Sequence, residues 1–181
     1  GPDFARCVAR LAHCPNVYVA GFQTERSLAL QLAHGLQYLR AGVHLADISG
    51  GNFADILLSD PGQTSLVLID ARRYSRLTLE LAAKAKEAGI AVTLITDPYC
   101  DWGRAVAAEM FAVPTDLNHF WDATSPMASL IGQIVNGVFN ELGAEVETRM
   151  AQVSSLYGAF IGHTGDVRAK RTTAAGPTKN R

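Results

Sequence analysis

Hydrophobic positions follow two different spacings along this chain. Short apolar runs that end at a glycine or a polar residue predict buried strands, and leucines spaced three or four residues apart predict helices. The predicted strands cover residues 17–20, 43–45, 65–69, 90–95 and 110–113. The predicted helices cover residues 4–13, 26–40, 52–58, 77–88, 102–108 and most of 125–160, with Gly132, Gly137 and Gly143 as weak points.

One strand–helix–strand unit indicates the relative direction of the strands. Strand 65–69, helix 77–88 and strand 90–95 follow one another in a short span, and such a unit requires a parallel crossover. The alternation of strands and helices continues over most of the chain. It predicts an α/β fold, a three-layer sandwich with a five-stranded parallel sheet in a single domain.

Composition and charge narrow the class of protein. The chain has 181 residues, of which 48% are apolar and 18% charged, so one globular domain is expected rather than a disordered chain. Residues 164–181 hold five basic residues and one acid, whereas residues 1–163 hold eleven basic and sixteen acidic residues. A body with a net charge of −5 is a poor partner for duplex DNA.

The sequence lacks the usual motifs for cofactors and metals. It contains neither the dinucleotide fingerprint nor the phosphate loop of ATP-binding proteins, so we expect no cofactor. Its three cysteines form no C-x-x-C pair, and its histidines form no H-E-x-x-H pair, so no metal is expected. Free cysteines and the absence of a long apolar run favour a cytoplasmic protein without a membrane span.

Two loops combine glycine, hydroxyl and charged residues where a ligand would bind. In an open parallel sheet the ligand lies at the carboxyl ends of the strands, and these loops begin there, at Gly21 and Asp70. The second loop places three arginines before a helix, where the helix dipole repels them. A bound anion would remove this repulsion, but the arginines would equally be satisfied by solvent, Asp70 or Glu80. They are Arg72, Arg73 and Arg76.

The chain resembles the sugar isomerase (SIS) domain in VYVAGF, the long helix after it, and LVLIDARRYSRLTLELAAKAKEAGIAVTLITD. RRYSR followed by TLELAAKAKEAGI is the most specific part, and it resembles the effector-binding domain of RpiR-type bacterial transcription regulators. The resemblance covers about residues 5–155. It implies a doubly wound, flavodoxin-like sheet, a homodimer and a site for a phosphosugar or another carbohydrate derivative.

The resemblance also implies a division of the chain. Residues 1–14 would be a linker helix, 15–160 the SIS domain and 161–181 a flexible basic tail. DNA would be bound only through an N-terminal helix-turn-helix domain that this chain does not contain. The expected partners are therefore a small-molecule effector and a second copy of the chain, and no membrane.

The implied ligand site departs from the usual SIS pattern at two places. The usual Gly-x-Gly-x-Ser loop after the first strand is replaced here, and Glu25 stands at the position of the phosphate-binding serine. The usual Ser-x-Ser-Gly-x-Thr loop retains only the hydroxyl of Ser75. A ligand with both charged and hydroxyl groups, or without a phosphate, is therefore to be considered. The predicted ligand-binding residues are Gly21, Gln23, Thr24, Glu25, Asp70, Arg72, Arg73, Ser75 and Arg76.

Two functions fit these residues. The sequence favours an effector-sensing and dimerisation domain of a transcription regulator, which is not an enzyme. The alternative is an aldose–ketose phosphosugar isomerase of the same fold, with Glu25, His119 or Glu141 as the base that moves a proton between adjacent carbons. Trp121, after the fifth strand, would stack on a sugar ring or pack at a subunit contact.

Overall fold

The computed structural model describes residues 1–47 and 50–161. The predicted flexible tail lies outside the described residues, apart from Ile161.

Five parallel strands form one sheet, as the sequence predicts. Their order across the sheet is β2-β1-β3-β4-β5, and β3 pairs with β1 on one side and with β4 on the other. Every residue of β3 is buried, which explains the continuous apolar run in its sequence, since helices cover both faces of a parallel sheet. The strands are β1 Asn16–Gly21, β2 Val43–Leu45, β3 Thr64–Ile69, β4 Ala91–Thr96 and β5 Glu109–Ala112.

Helices lie on both faces of the sheet and complete the three-layer α/β sandwich. Helices α1, α2 and α6 pack on one face, and α3 and α4 pack on the other. The α-helices of the described residues are α1 Pro2–His13, α2 Arg26–Leu39, α3 Phe53–Leu57, α4 Arg76–Glu87, α5 Gly103–Val106, α6 Ser125–Leu142 and α7 Glu145–Phe160.

One predicted helix and two predicted weak points need correction. The helix predicted over 102–108 is a single turn, because Ala107 is already extended and β5 begins at Glu109. The segment 125–160 is mostly helical, as predicted, and it divides at the predicted weak point Gly143, whose φ of 59° ends α6. Gly132 and Gly137 are not weak points, because they lie inside α6. At Gly137 a Cβ atom would lie 2.7 Å from Val8 Cγ2, so this glycine allows α6 to approach α1 closely.

Helix α1 is packed into the same core as the sheet. Its Cys7 and Leu11 are buried, and its Arg10 forms an ion pair with Glu109 at the start of β5. The Glu109 side chain is 1% exposed and also accepts a hydrogen bond of 3.2 Å from the Thr93 hydroxyl. The ion pair therefore attaches α1 to the edge of the sheet.

Candidate functional site

A cavity of about 460 Å³ lies at the carboxyl ends of the strands, where the sequence places the ligand. Three loops line it, one after each of β1, β3 and β5. The lining residues are Gln23, Thr24, Glu25, Ala71, Arg72, Arg73, Thr115, His119, Phe120, Trp121, Asp122, Ala123 and Thr124.

The loop after β1 is shaped by a glycine and a strained residue. A Cβ atom at Gly21 would lie 2.4 Å from the carbonyl oxygen of Glu25, so only glycine lets the 3₁₀ turn at Gln23–Glu25 fold over the strand end. Gln23 has a φ of 47°, a left-handed conformation that costs a non-glycine residue about 1–2 kcal/mol. Gln23 stands where the usual SIS loop has its second glycine. The backbone therefore has the left-handed conformation that glycine favours, although the residue is a glutamine.

Glu25 presents a largely buried carboxyl group to the cavity. Its residue is 9% exposed, and within the described chain no arginine or lysine nitrogen lies within 4.0 Å of its oxygens. Burial raises the pKa of Glu25, and the negative charges of Asp70 and Asp97 raise it further, although hydrogen bonds from its own backbone and Thr24 act against this. Among the described residues, the Glu25 carboxyl therefore lacks a cationic partner.

Asp70 and Ser75 shape the loop after β3 rather than line the cavity. The Asp70 carboxylate accepts a hydrogen bond of 2.9 Å from the backbone N–H of Ser75. The Ser75 hydroxyl in turn accepts one of 3.2 Å from the backbone N–H of Leu77 and caps α4. Burial raises the pKa of Asp70. Both side chains are thus engaged in holding the start of α4.

Asp97, after β4, accepts hydrogen bonds from the loop after β3 and so holds that loop in place. Its carboxylate accepts hydrogen bonds from the backbone N–H of Arg72 at 2.6 Å, the Tyr74 hydroxyl at 2.5 Å and the backbone N–H of Tyr99 at 2.9 Å. Asp97 is fully buried, and the pKa of Tyr74 is raised by burial and by this carboxylate. Asp97 therefore positions the loop that carries the arginines.

The three arginines of this loop differ in what they contact. Arg72 Nη2 lies 3.3 Å from Asp122 Oδ1, and its guanidinium carbon lies 4.0 Å from the centroid of the Tyr99 ring. Arg73 lines the cavity and forms no ion pair or side-chain hydrogen bond with any described residue. Arg76 is the exposed first residue of α4 and does not line the cavity. Arg73 is thus the arginine that remains available to a ligand.

The loop after β5 supplies a third wall that the predicted site residues do not include. Thr115 is 2% exposed, and its hydroxyl has no hydrogen-bond partner among the described residues. Phe120 is fully exposed and Trp121 is 67% exposed, so neither ring packs in the core of this chain. His119 and Asp122 complete the wall. The exposed aromatic pair is the sequence signal for this wall, whereas Thr115 is identified only by its burial.

The structure brings five of the nine predicted ligand-binding residues to the cavity. Gly21, Asp70, Ser75 and Arg76 do not line it. Of the bases considered for an isomerase, Glu25 and His119 line the cavity, and Glu141 is instead 3.1 Å from His13. The five residues are Gln23, Thr24, Glu25, Arg72 and Arg73.

Two further classes of feature are absent from the described residues. They contain no group of three or more His, Cys, Asp or Glu side chains that could hold a metal ion. None of the described helices has the length and apolar content that a membrane span requires.

Solved structures of SIS proteins have the fold of this chain. The sugar isomerase domain of an RpiR transcription factor from Sphaerobacter thermophilus matches with a TM-score of 0.74 and 18% identity, over 86% of this chain and 87% of that one. NanR from Vibrio vulnificus, complexed with ManNAc-6P, matches with a TM-score of 0.73 and 14% identity, over 86% of this chain and 60% of NanR. A Methanococcus jannaschii protein with an inferred 3-hexulose-6-phosphate isomerase function gives 0.60 and 13%, over 83% of each chain.

No protein-family model matches the chain, and no curated protein matches it in sequence. The structural likeness is one of fold, since the identities lie below 20%.

Proposed function

Because the chain folds as an SIS domain and resembles those of RpiR-type regulators, we propose that it is the effector-sensing and dimerisation domain of a bacterial transcription regulator. The observation that carries the proposal is the cavity at the carboxyl ends of the strands, where Arg73 has no ion-pair or hydrogen-bond partner for its side chain in the described part of the chain. Its effector is a carbohydrate derivative, because hydroxyl groups and a guanidinium line the cavity beside an exposed tryptophan. The regulator would act in the cytoplasm and bind DNA through a separate helix-turn-helix domain.

The proposed site consists of the five predicted residues that line the cavity together with the wall after β5. Arg73 would bind an anionic group of the effector, and the unpartnered hydroxyl of Thr115 would bind one of its hydroxyl groups. Trp121 would cover one face of the sugar. Arg72 would act mainly by shape, since its charge is already matched by Asp122.

A thermal-shift screen against sugar phosphates, sugar acids and polyols, followed by calorimetric titration of the best compound, tests the proposal. Arg73→Ala should weaken binding by about ten- to a hundredfold, since it removes a charge-assisted hydrogen bond. Arg76→Ala is the matched control and should bind as the parent does. If no compound raises the melting temperature, or if both variants bind like the parent, the proposal is wrong.

We propose that α7 contributes to the dimer contact. Its C-terminal part exposes Leu156 at 58% and Phe160 at 84%, and Ile161 directly after it is 68% exposed, an apolar surface typical of subunit contacts. Light scattering should give a dimer for the parent and a monomer for Phe160→Asp. Leu58, which is 87% exposed after α3, provides the control, because Leu58→Asp should leave the mass unchanged.

An isomerase is the second candidate, because Glu25 and His119 line the same cavity. A carboxyl group with a raised pKa is suited to proton transfer between adjacent carbons. We expect the purified chain not to interconvert aldose and ketose phosphates. Turnover that disappears in Glu25→Gln would instead establish the isomerase.

A further inference from the structure

The cavity contains one negative and one positive side chain that do not pair with each other. Glu25 lies on the β1 loop and Arg73 on the β3 loop, and both line the same cavity. Neither has an ion-pair partner within 4.0 Å among the described residues. The other pair of opposite charges in the cavity, Arg72 and Asp122, is already formed at 3.3 Å.

Two acidic groups lie around Glu25, and none of the described arginines or lysines pairs with it. Asp70 and Asp97 are close enough to Glu25 to disfavour its charge. Their own carboxylates are occupied by the backbone N–H groups of Ser75 and Arg72 and by the Tyr74 hydroxyl. A phosphate placed beside Glu25 would add a further negative charge to this region, whereas a cation would be attracted to all three carboxyl groups.

A ligand with two ends of opposite charge would neutralise both side chains. We propose that the cavity selects a carbohydrate derivative that carries a primary ammonium group as well as an anionic group, with the ammonium at Glu25 and the anion at Arg73. This inference rests on the proposed function. A ligand hydroxyl also donates a hydrogen bond to Glu25, but it brings no charge to the acidic region. The ammonium form should therefore bind more tightly than the hydroxyl form by about tenfold or more.

Two matched pairs of compounds test this selectivity. Glucosamine 6-phosphate and glucose 6-phosphate differ only in an amine or a hydroxyl at one carbon, and 2-amino-2-deoxygluconate and gluconate differ in the same way. Calorimetric titration at neutral pH gives the dissociation constant of each compound for the parent chain. In at least one pair we expect the amine to bind about tenfold or more tightly than its hydroxyl counterpart.

Variants then assign the preference to its side chain. Glu25→Gln keeps the shape of residue 25 and should abolish the preference for the amine, whereas Arg73→Ala should weaken both members of a pair to the same extent. Asp101→Asn removes an exposed carboxylate that does not line the cavity, so the preference should persist in this variant. Melting temperatures verify folding, and Glu25→Ser is the second variant should the glutamine variant not fold.

Each result decides the proposal. Absence of a preference for the amine in both pairs, or a preference that survives in both Glu25 variants, overturns it and leaves the proposed function intact. Binding by none of the four compounds also overturns it, and the wider thermal-shift screen then decides the proposed function separately.

Discussion

Replacing Arg10 by methionine should destabilise the chain by about 3 kcal/mol, because it leaves the Glu109 carboxylate buried without its main partner. The Glu109 side chain is 1% exposed and, among the described residues, would retain only the Thr93 hydroxyl at 3.2 Å and the Arg6 guanidinium at 3.7 Å. Methionine preserves the helix propensity of α1 and much of the apolar stem of arginine. The loss therefore reports the ion pair rather than the helix.

The magnitude follows from the exposure of the two partners. Breaking a buried ion pair by removing one partner costs about 3–5 kcal/mol. The lower end applies here, because the Arg10 side chain is 25% exposed and Arg6 partly replaces it. In a domain of this size, about 3 kcal/mol lowers the melting temperature by roughly 6–12 °C.

Urea unfolding followed by circular dichroism measures the free energy of unfolding, and alkylation of Cys7 reports the docking of α1. Cys7 is fully buried in α1, and burial raises the pKa of its thiol to about 12, so alkylation requires α1 to move away from the sheet. A loss of about 3 kcal/mol corresponds to alkylation faster by roughly a hundredfold. Lys84→Met breaks the exposed pair with Glu87 and should change stability by no more than about 0.5 kcal/mol.

The double variant Arg10→Met/Glu109→Leu should be more stable than Arg10→Met, because it removes the carboxylate that was left unpaired. The reasoning is refuted if Arg10→Met unfolds within about 1 kcal/mol of the parent, or if the two substitutions are simply additive.

Three other outcomes follow from the site and the cysteines. Gln23→Gly should stabilise the chain by about 1 kcal/mol because it relieves a left-handed residue, whereas Gln23→Ala should not, as calorimetric melting would reveal. The raised pKa of Glu25 means that the folded state holds this proton more tightly than the unfolded state, so stability falls as pH rises from the ordinary glutamate pKa to the raised one. Glu25→Gln should therefore be more stable than the parent at pH 7.5 and equally stable well below the ordinary glutamate pKa, as measured by urea unfolding. Ellman's reagent should modify the partly exposed Cys14 well before the buried Cys7 and Cys100, and equal rates would contradict the structure.

Local sequence patterns predict the strands because burial on both faces leaves a continuous apolar run, as in β3. The apolar pattern does not predict the start of β5. Glu109 is a charged residue inside the fold, and its burial depends on Arg10, which lies 99 positions away in sequence. The predicted helix over 102–108 therefore runs too far, since nothing near Ala107 in the sequence indicates an extended residue.

The candidate site, like the fold, could be predicted only in part from the sequence. The loops after β1 and β3 could be located from the sequence, because the carboxyl ends of parallel strands meet at one edge of a sheet. The roles within them could not, since Asp70 and Ser75 bind backbone groups of their own loop, which only the folded geometry reveals. Thr115 lies in a long loop without periodicity, so no local pattern marks its buried hydroxyl.

The bend of the β1 loop has a consequence for how specificity changes in proteins of this shape. Gly21 makes room for the turn, and Gln23 keeps the left-handed conformation at an energetic cost, so the two features that bend this backbone lie at residues 21 and 23 and not at residue 25. Gln23→Gly together with Glu25→Ser would restore the Gly-x-Gly-x-Ser pattern on a backbone that is already bent to suit it. Under the proposed function, two side chains would separate one ligand chemistry from another, and such a transition, in nature or in the laboratory, would need no rearrangement of the sheet beneath.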